Sequence, residues 1–251
     1  MDNNASDESS SDKPSEAVEN DEVVLSSYIA TNSEVFPRVL QLHVEDGAKI
    51  ADVTYGKGVF WEEMPDNKYE LNRTDINPEK SPDSPEGEGV DCRDLPYDDG
   101  SLDVVVLDPP YAEGYYRRNK EHLAGNGSHS TFRSNYATGE AYEETPKYHQ
   151  AVLAMYIEAG REAKRVLRED GVFIVKVGDE VSANTQELTH IQITNFYEQE
   201  LRFYTKDLFI VERHNKPNTP GVNSQVHARK NHSFFMVYEA DGEPQNIIET
   251  G

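Results

Sequence analysis

Asp108, two prolines and Tyr111 close an apolar run, Val104-Val105-Val106-Leu107-Asp108-Pro109-Pro110-Tyr111. A buried strand of that composition delivers a carboxylate, a stiff corner and an aromatic ring to one edge of a sheet. The prolines donate no backbone hydrogen bond and fix φ near −65°, so the carbonyls around them stay available as acceptors. Asp108 and the Pro109 carbonyl then form an acceptor pair that suits the two N–H bonds of an exocyclic amino group. Tyr111 offers a face on which a planar ring can stack. This is the chemistry of an aminopurine or aminopyrimidine pocket. The alternative is a tight turn at the end of a core strand, with Asp108 as its cap.

Three upstream segments can position a second ligand beside that corner. Lys49-Ile50-Ala51-Asp52-Val53 reads as a short buried strand running into Thr54-Tyr55-Gly56-Lys57-Gly58 and then the apolar Val59-Phe60-Trp61, a strand, glycine turn and helix start. Glycine at 56 and 58 opens backbone conformations closed to other residues, and a helix N-terminus favours a negative group. Trp61 occupies the place of the third glycine of a dinucleotide fingerprint, which disfavours a nicotinamide cofactor. The strand over residues 68–74 ends on Asp75, a position from which a carboxylate can accept from ribose hydroxyls. In Gly89-Val90-Asp91-Cys92-Arg93-Asp94, Asp91 follows a short predicted strand and can accept from an adenine amino group. Singly, each acid could be a solvated loop charge. Together they fall in order at the ends of four successive strands, where ligands bind α/β sheets.

In these residues the chain resembles the S-adenosylmethionine-dependent amino-methyltransferases that modify adenine N6 or cytosine N4 in DNA, over roughly residues 50–237. The resemblance implies that Asp52, Thr54, Gly56 and Gly58 frame the methionine moiety of S-adenosyl-L-methionine, that Asp75 holds the ribose, and that Asp91 with the backbone of Cys92 meets the adenine. Asp108, Pro109, Pro110 and Tyr111 become the catalytic motif. It also implies a preference for adenine N6, because Asp at the first motif position is commoner in adenine enzymes and Ser in cytosine-N4 enzymes. Cytosine-N4 methylation, amino-methylation of an RNA base, and a non-catalytic cofactor-binding partner subunit stand as alternatives.

The rest of the chain completes such a sheet. Residues 148–167 carry Val152, Tyr156, Ala159, Ala163 and Val166 at helical spacing, with Gly171 as the expected stop. Val172-Phe173-Ile174-Val175-Lys176-Val177 follows as a buried strand, 187–201 as a helix, and 208–211 with 233–237 as a terminal strand pair. A helix over 33–45, opened by Asn32 or Ser33, covers one sheet face, and residues 28–33 either pack there or reach the cofactor carboxyl. Periodicity gives a mostly parallel α/β sandwich. The resemblance implies its three-layer, Rossmann-like class I methyltransferase form with an antiparallel last strand.

Composition bounds the remainder. The first 22 residues hold eight acids and one lysine without apolar periodicity, and read as a disordered acidic tail before a single methyltransferase domain over 23–240 and a C-terminal tail over 241–251. No apolar leader or membrane span is legible, and the lone Cys92 can form no internal disulfide, which points to a reducing cytoplasm. Cys92 suits a small buried residue better than a nucleophile. The formal charge of −23 opposes duplex binding, since affinity for DNA rests on Lys and Arg at phosphates. Residues 202–230, however, carry six basic residues against Asp207 and Glu212, and an acidic surface of this kind resembles proteins of salt-loving cells. Two loops are the candidate DNA-contacting surfaces. One spans 112–146, with Tyr115, Arg117, Arg118 and Arg133, and the other 213–232, with Lys216, Arg229 and Lys230. Neither is long enough for a separate recognition domain, so specificity would come from these loops, a specificity subunit or a homodimer. His214, His227 and His232 lack the spacing of a zinc site.

Overall fold

The computed structural model describes residues 23–65, 67–112, 148–214 and 225–241. In chain order these form β1 (Ser27–Ile29), α1 (Asn32–His43), β2 (Lys49–Asp52), β3 (Glu70–Arg73), β4 (Leu102–Leu107), α2 (His149–Val166), β5 (Leu167–Val177), β6 (Glu180–Ser182), β7 (Thr185–Glu187), α3 (Thr189–Leu201), β8 (Phe203–Glu212) and β9 (His232–Ala240). The 1–22 tail, the segments 113–147 and 215–224, and 242–251 lie outside the described residues.

Seven strands form one sheet in the order β1-β8-β9-β5-β4-β2-β3. Its neighbours run parallel except at β9, which is antiparallel to both β5 and β8. The period-two alternation of strand side chains builds a core on each face. Ile50, Val104, Val106, Ile174, Phe209 and Phe235 meet Val35, Phe36, Val39 and Leu40 of α1 on one side. Ala51, Val105, Leu107, Phe173, Val175 and Tyr238 meet Val152, Tyr156 and Ala159 of α2 and Ile193 and Tyr197 of α3 on the other. This is the expected three-layer sandwich with an antiparallel last strand. Among the described residues no helix is long and apolar enough to cross a membrane.

Four local expectations are corrected. Thr31, not Asn32 or Ser33, caps α1, because its hydroxyl accepts from the Glu34 N–H while the Glu34 carboxylate accepts from the Thr31 N–H at 2.7 Å. Gly171 does not stop α2. The helix ends at Val166, and Gly171 lies inside β5, where the register with β4 shifts and Asp170 takes a φ of 60°. The glycine turn leads only into one 3-10 turn, Val59–Trp61, so it offers no extended helix dipole. The strand expected before Asp91 is a loop. Its Gly89 runs against the backbone of Ile76, so that a Cβ there would lie 2.0 Å from the Ile76 carbonyl oxygen. One strand-like bond remains, from the Val90 N–H to the Asp75 carbonyl.

The β6–β7 hairpin is tied to both helices of its face through His149. Its Nδ1 lies 2.9 Å from Glu180 Oε1 and its Nε2 2.7 Å from Gln192 Oε1. Because the Gln192 amide nitrogen donates to Glu187, both ring nitrogens face acceptors and the imidazolium is favoured. Burial opposes that charge, but the bonds to Glu180 and Gln192 hold the pKa above its usual 6.5. The stabilisation is therefore full below about 6.5 and lost as pH rises through the folded-state value. His149→Phe is expected to cost on the order of 1–3 kcal/mol at pH 6. Thermal denaturation should show the gap to wild type narrowing at pH 9.

Candidate active site

The parallel strands β2, β3 and β4 end on one edge, and the segments leaving them interlock. The backbone N–H of Asp108 donates to Thr54 Oγ1 at 2.6 Å, which fastens the corner after β4 to the glycine turn after β2. Asp52 is 3% exposed and accepts from the Thr54 N–H at 3.1 Å and from Trp61 Nε1 at 2.8 Å. Both its oxygens thus brace the turn. Gly56 and Gly58 have φ of 59° and 72°. The Gly56 N–H donates to Asp75 Oδ2 at 3.0 Å, and the Asn77 N–H donates to Asp75 Oδ1 at 2.8 Å. Each oxygen of this buried carboxylate keeps acceptor capacity.

Asp91 accepts from the N–H and the guanidinium of Arg93, with Oδ2 2.5 Å from Nη2. Burial raises its pKa, but the Arg93 bonds outweigh this and hold it below the usual carboxylate range. Cys92 is buried, its Sγ 3.8 Å from Met155 Sδ, and burial pushes the thiol up to about 12, leaving it inert as a nucleophile.

Acids crowd this edge. Burial pushes Asp52 up to about 7, with Asp108 and Asp75 adding to the effect. It raises Asp75 as well. Burial likewise pushes Asp108 up to about 7, against the pull of the Lys176 ammonium on β5. A carboxyl that titrates there can take up or release a proton near neutral pH. Tyr111 lies with its ring over Gly178, just beyond β5, and its hydroxyl accepts from Arg213 Nη2 at 3.1 Å. Among the described residues no cluster of three or more His, Cys, Asp or Glu side chains is arranged to hold a metal ion.

A family model described as DNA methylase, of the N6/N4 type, matches residues 102–250. The chain belongs to the N6/N4 DNA methylases. Solved structures similar to this methylase are found at low identity. One is a Thermus thermophilus protein described as a DNA modification methylase, complexed with S-adenosyl-L-methionine, at 17% identity over 63% of this chain and 56% of that one, with a TM-score of 0.38. Another is the cytosine-N4-specific PvuII DNA methyltransferase, at 15% identity over 62% and 48%, with a TM-score of 0.40. A third is an S-adenosylmethionine-dependent methyltransferase of Methanosarcina mazei, at 13% identity over 80% and 96%, with a TM-score of 0.47. The chain spans about half the length of the first two. No curated protein matches it.

Within the methylase, Asp52, Thr54, Gly56, Gly58, Asp75 and Asp108 come together through the contacts above. Of the residues expected at the nucleic acid, Tyr115, Arg117, Arg118, Arg133 and Lys216 lie outside the described residues. Arg229 is exposed and Lys230 half-buried on the approach to β9, while Arg213 bonds the Tyr111 hydroxyl of the motif. Sequence reasoning missed Lys176, Gly178 and the bracing role of Trp61. A single lysine inside an apolar run was the available signal for the first. Gly178 follows from contact alone, since a Cβ there would lie 2.9 Å from two Tyr111 ring atoms. Gly178→Ala should therefore shift that ring and reduce methyl transfer about tenfold or more, with the melting temperature nearly unchanged. Steady-state kinetics beside a thermal melt would check it.

Proposed function

We propose that this methylase transfers the methyl group of S-adenosyl-L-methionine to the exocyclic amino group of a base in DNA, with adenine N6 the preferred target. The observation that carries the reading is the 2.6 Å bond from the Asp108 N–H to Thr54, because it joins an acceptor carboxylate to the turn expected to hold the cofactor. The residues present fit that cofactor. Asp75 retains acceptor capacity for two ribose hydroxyls, and the glycine turn leaves no Cβ at 56 to obstruct the methionine moiety, while the left-handed backbone of Gly58 shapes the turn. Asp91, which Arg93 holds ionised, would accept from the adenine amino group together with the backbone of Cys92.

When bound, S-adenosyl-L-methionine supplies an electrophilic methyl group on a sulfonium. Asp108 and the Pro109 carbonyl accept the two amino N–H bonds and draw the nitrogen toward tetrahedral geometry, so that its lone pair points at the methyl carbon. Orientation supplies much of the barrier reduction, and the acceptors stabilise the positive charge developing on nitrogen. Asp108 then takes the proton. Tyr111 stacks on the target base and replaces part of the stacking lost when the base leaves the duplex. Arg229 and Lys230, with the loop residues Tyr115, Arg117, Arg118, Arg133 and Lys216, are assigned to the nucleic acid, with a specificity subunit or a second copy completing recognition. The reducing cytoplasm remains the proposed location.

The aspartate at the first motif position supports adenine. Digestion of methylated DNA to nucleosides tests this. N6-methyldeoxyadenosine is expected, and N4-methyldeoxycytidine as the sole product would move the target to cytosine. A second reading is amino-methylation of an RNA base, because the acceptor pair of Asp108 and the Pro109 carbonyl suits an exocyclic amino group on either nucleic acid; the charge of −23 penalises approach to both polyanions, most of all at low salt where screening is weak.

A further inference from the structure

Lys176 is the anomaly of this core. It interrupts the apolar strand β5, is 1% exposed, and its Nζ is buried without a hydrogen-bond partner. Its backbone is pinned by the Tyr156 hydroxyl, which donates to the Lys176 carbonyl at 2.9 Å. Across the sheet it pairs with Phe235 of β9, and the ammonium lies 3.9 Å from the centroid of that ring. A cation on an aromatic face recovers about 2 kcal/mol when desolvated, which falls short of the cost of burying an ammonium without hydrogen bonds. A core selected for stability alone would carry Met or Leu here.

Strand register shows what faces it. Leu107 of β4 pairs with Val175 of β5, so Asp108 and Lys176 are the next residues along two adjacent parallel strands. Val106 and Ile174, two positions back, both belong to the core beneath α1, and the alternation carries Asp108 and Lys176 to that same face. The other charged groups around this pair among the described residues are Asp52 on β2, whose electrostatic coupling to Asp108 disfavours a second carboxylate, and Arg213 after β8, which acts on Lys176 and bonds Tyr111. Lys176 is the cation on the strand adjoining Asp108.

We propose that Lys176 is a positioning residue of the reaction, its buried ammonium keeping the neighbouring Asp108 ionised and so able to accept hydrogen bonds and a proton from the amino group. This rests on the reading of Asp108 as the acceptor in methyl transfer. The opposing shifts of the two groups agree with it, since burial drives Lys176 down to about 7 and Asp108 up to about 7 while each partner resists the other's shift.

The test compares wild type, Lys176→Met and Lys176→Arg. Infrared titration of the carboxyl stretch in the full chain without cofactor, with Asp108→Asn identifying the Asp108 band, reads its protonation directly. In Lys176→Met the midpoint should rise by about one unit or more, and in Lys176→Arg it should stay at or below the wild-type value. The acid limb of kcat/KM should move with it, a tenfold loss for each unit on that limb. Below the raised midpoint, where Asp108 is neutral, Met removes a buried charge and the melting temperature should hold or increase, whereas above it the uncompensated buried carboxylate should lower it. An unchanged midpoint in a folded Lys176→Met protein overturns the proposal. A shifted midpoint in a protein whose wild type transfers no methyl group upholds the Lys176–Asp108 coupling and overturns the proposed reaction instead.

Discussion

Asp108→Ala is expected to reduce methyl transfer by about a thousandfold or more while leaving the dissociation constant for S-adenosyl-L-methionine within a few-fold of wild type. The separation follows from geometry. The bond that links this residue to the glycine turn is made by its backbone N–H to Thr54, and alanine keeps it. What alanine removes is the carboxylate, which accepts from the amino group and takes its proton. Asp108→Asn should fall between the two, because an amide can still accept one hydrogen bond but is a far poorer proton acceptor. With burial pushing the Asp108 carboxyl up to about 7, wild-type kcat/KM should decline as pH falls below that value, the group being lost as an acceptor on protonation. Single-turnover rates across pH, beside calorimetric titration of the cofactor, would check both halves. Loss of cofactor affinity in Asp108→Ala would show that the role assignment is wrong.

Gly58→Val is expected to do the reverse. Its φ of 72° costs a residue with a Cβ about 1–2 kcal/mol. A Cβ there would also lie 2.5 Å from the Tyr55 hydroxyl oxygen and 2.7 Å from the adjoining ring carbon, so the tyrosine must move. The Gly58 N–H bonds the Tyr55 carbonyl at 2.8 Å, so the displacement spreads through the turn. Cofactor affinity should fall on the order of a hundredfold, equivalent to roughly 2.7 kcal/mol. The rate at saturating cofactor should fall much less. Calorimetry gives the first quantity, and an unchanged affinity would remove the turn from the cofactor site.

What was legible in the sequence was what local pattern dictates. The runs Val104–Val106 and Phe173–Val175 are apolar on both faces because helices cover both, and α2 carries its core residues at helical spacing. The catalytic corner is contiguous in sequence, so its residues could be named without a fold. The misses share a cause in tertiary contact. β1 is three residues long and exists through its pairing with β8. The sequence around Gly89 predicts a strand entry, whereas its approach to the Ile76 carbonyl makes a loop. Asp91 looked like an open acceptor, but Arg93, two residues on, folds back onto it. Lys176 stands in the sequence only as a member of an expected buried strand, and the sheet register alone reveals its place beside Asp108.

The measurement that bears most directly on the central claim is transfer of label from S-adenosyl-L-methionine to unmethylated genomic DNA and to total RNA, at low and molar salt, with Asp108→Ala as control. Modified nucleosides would be identified by mass. N6-methyldeoxyadenosine formed in DNA by wild type and absent with the variant is the predicted result. Label confined to RNA, or equal label with Asp108→Ala, would contradict the account.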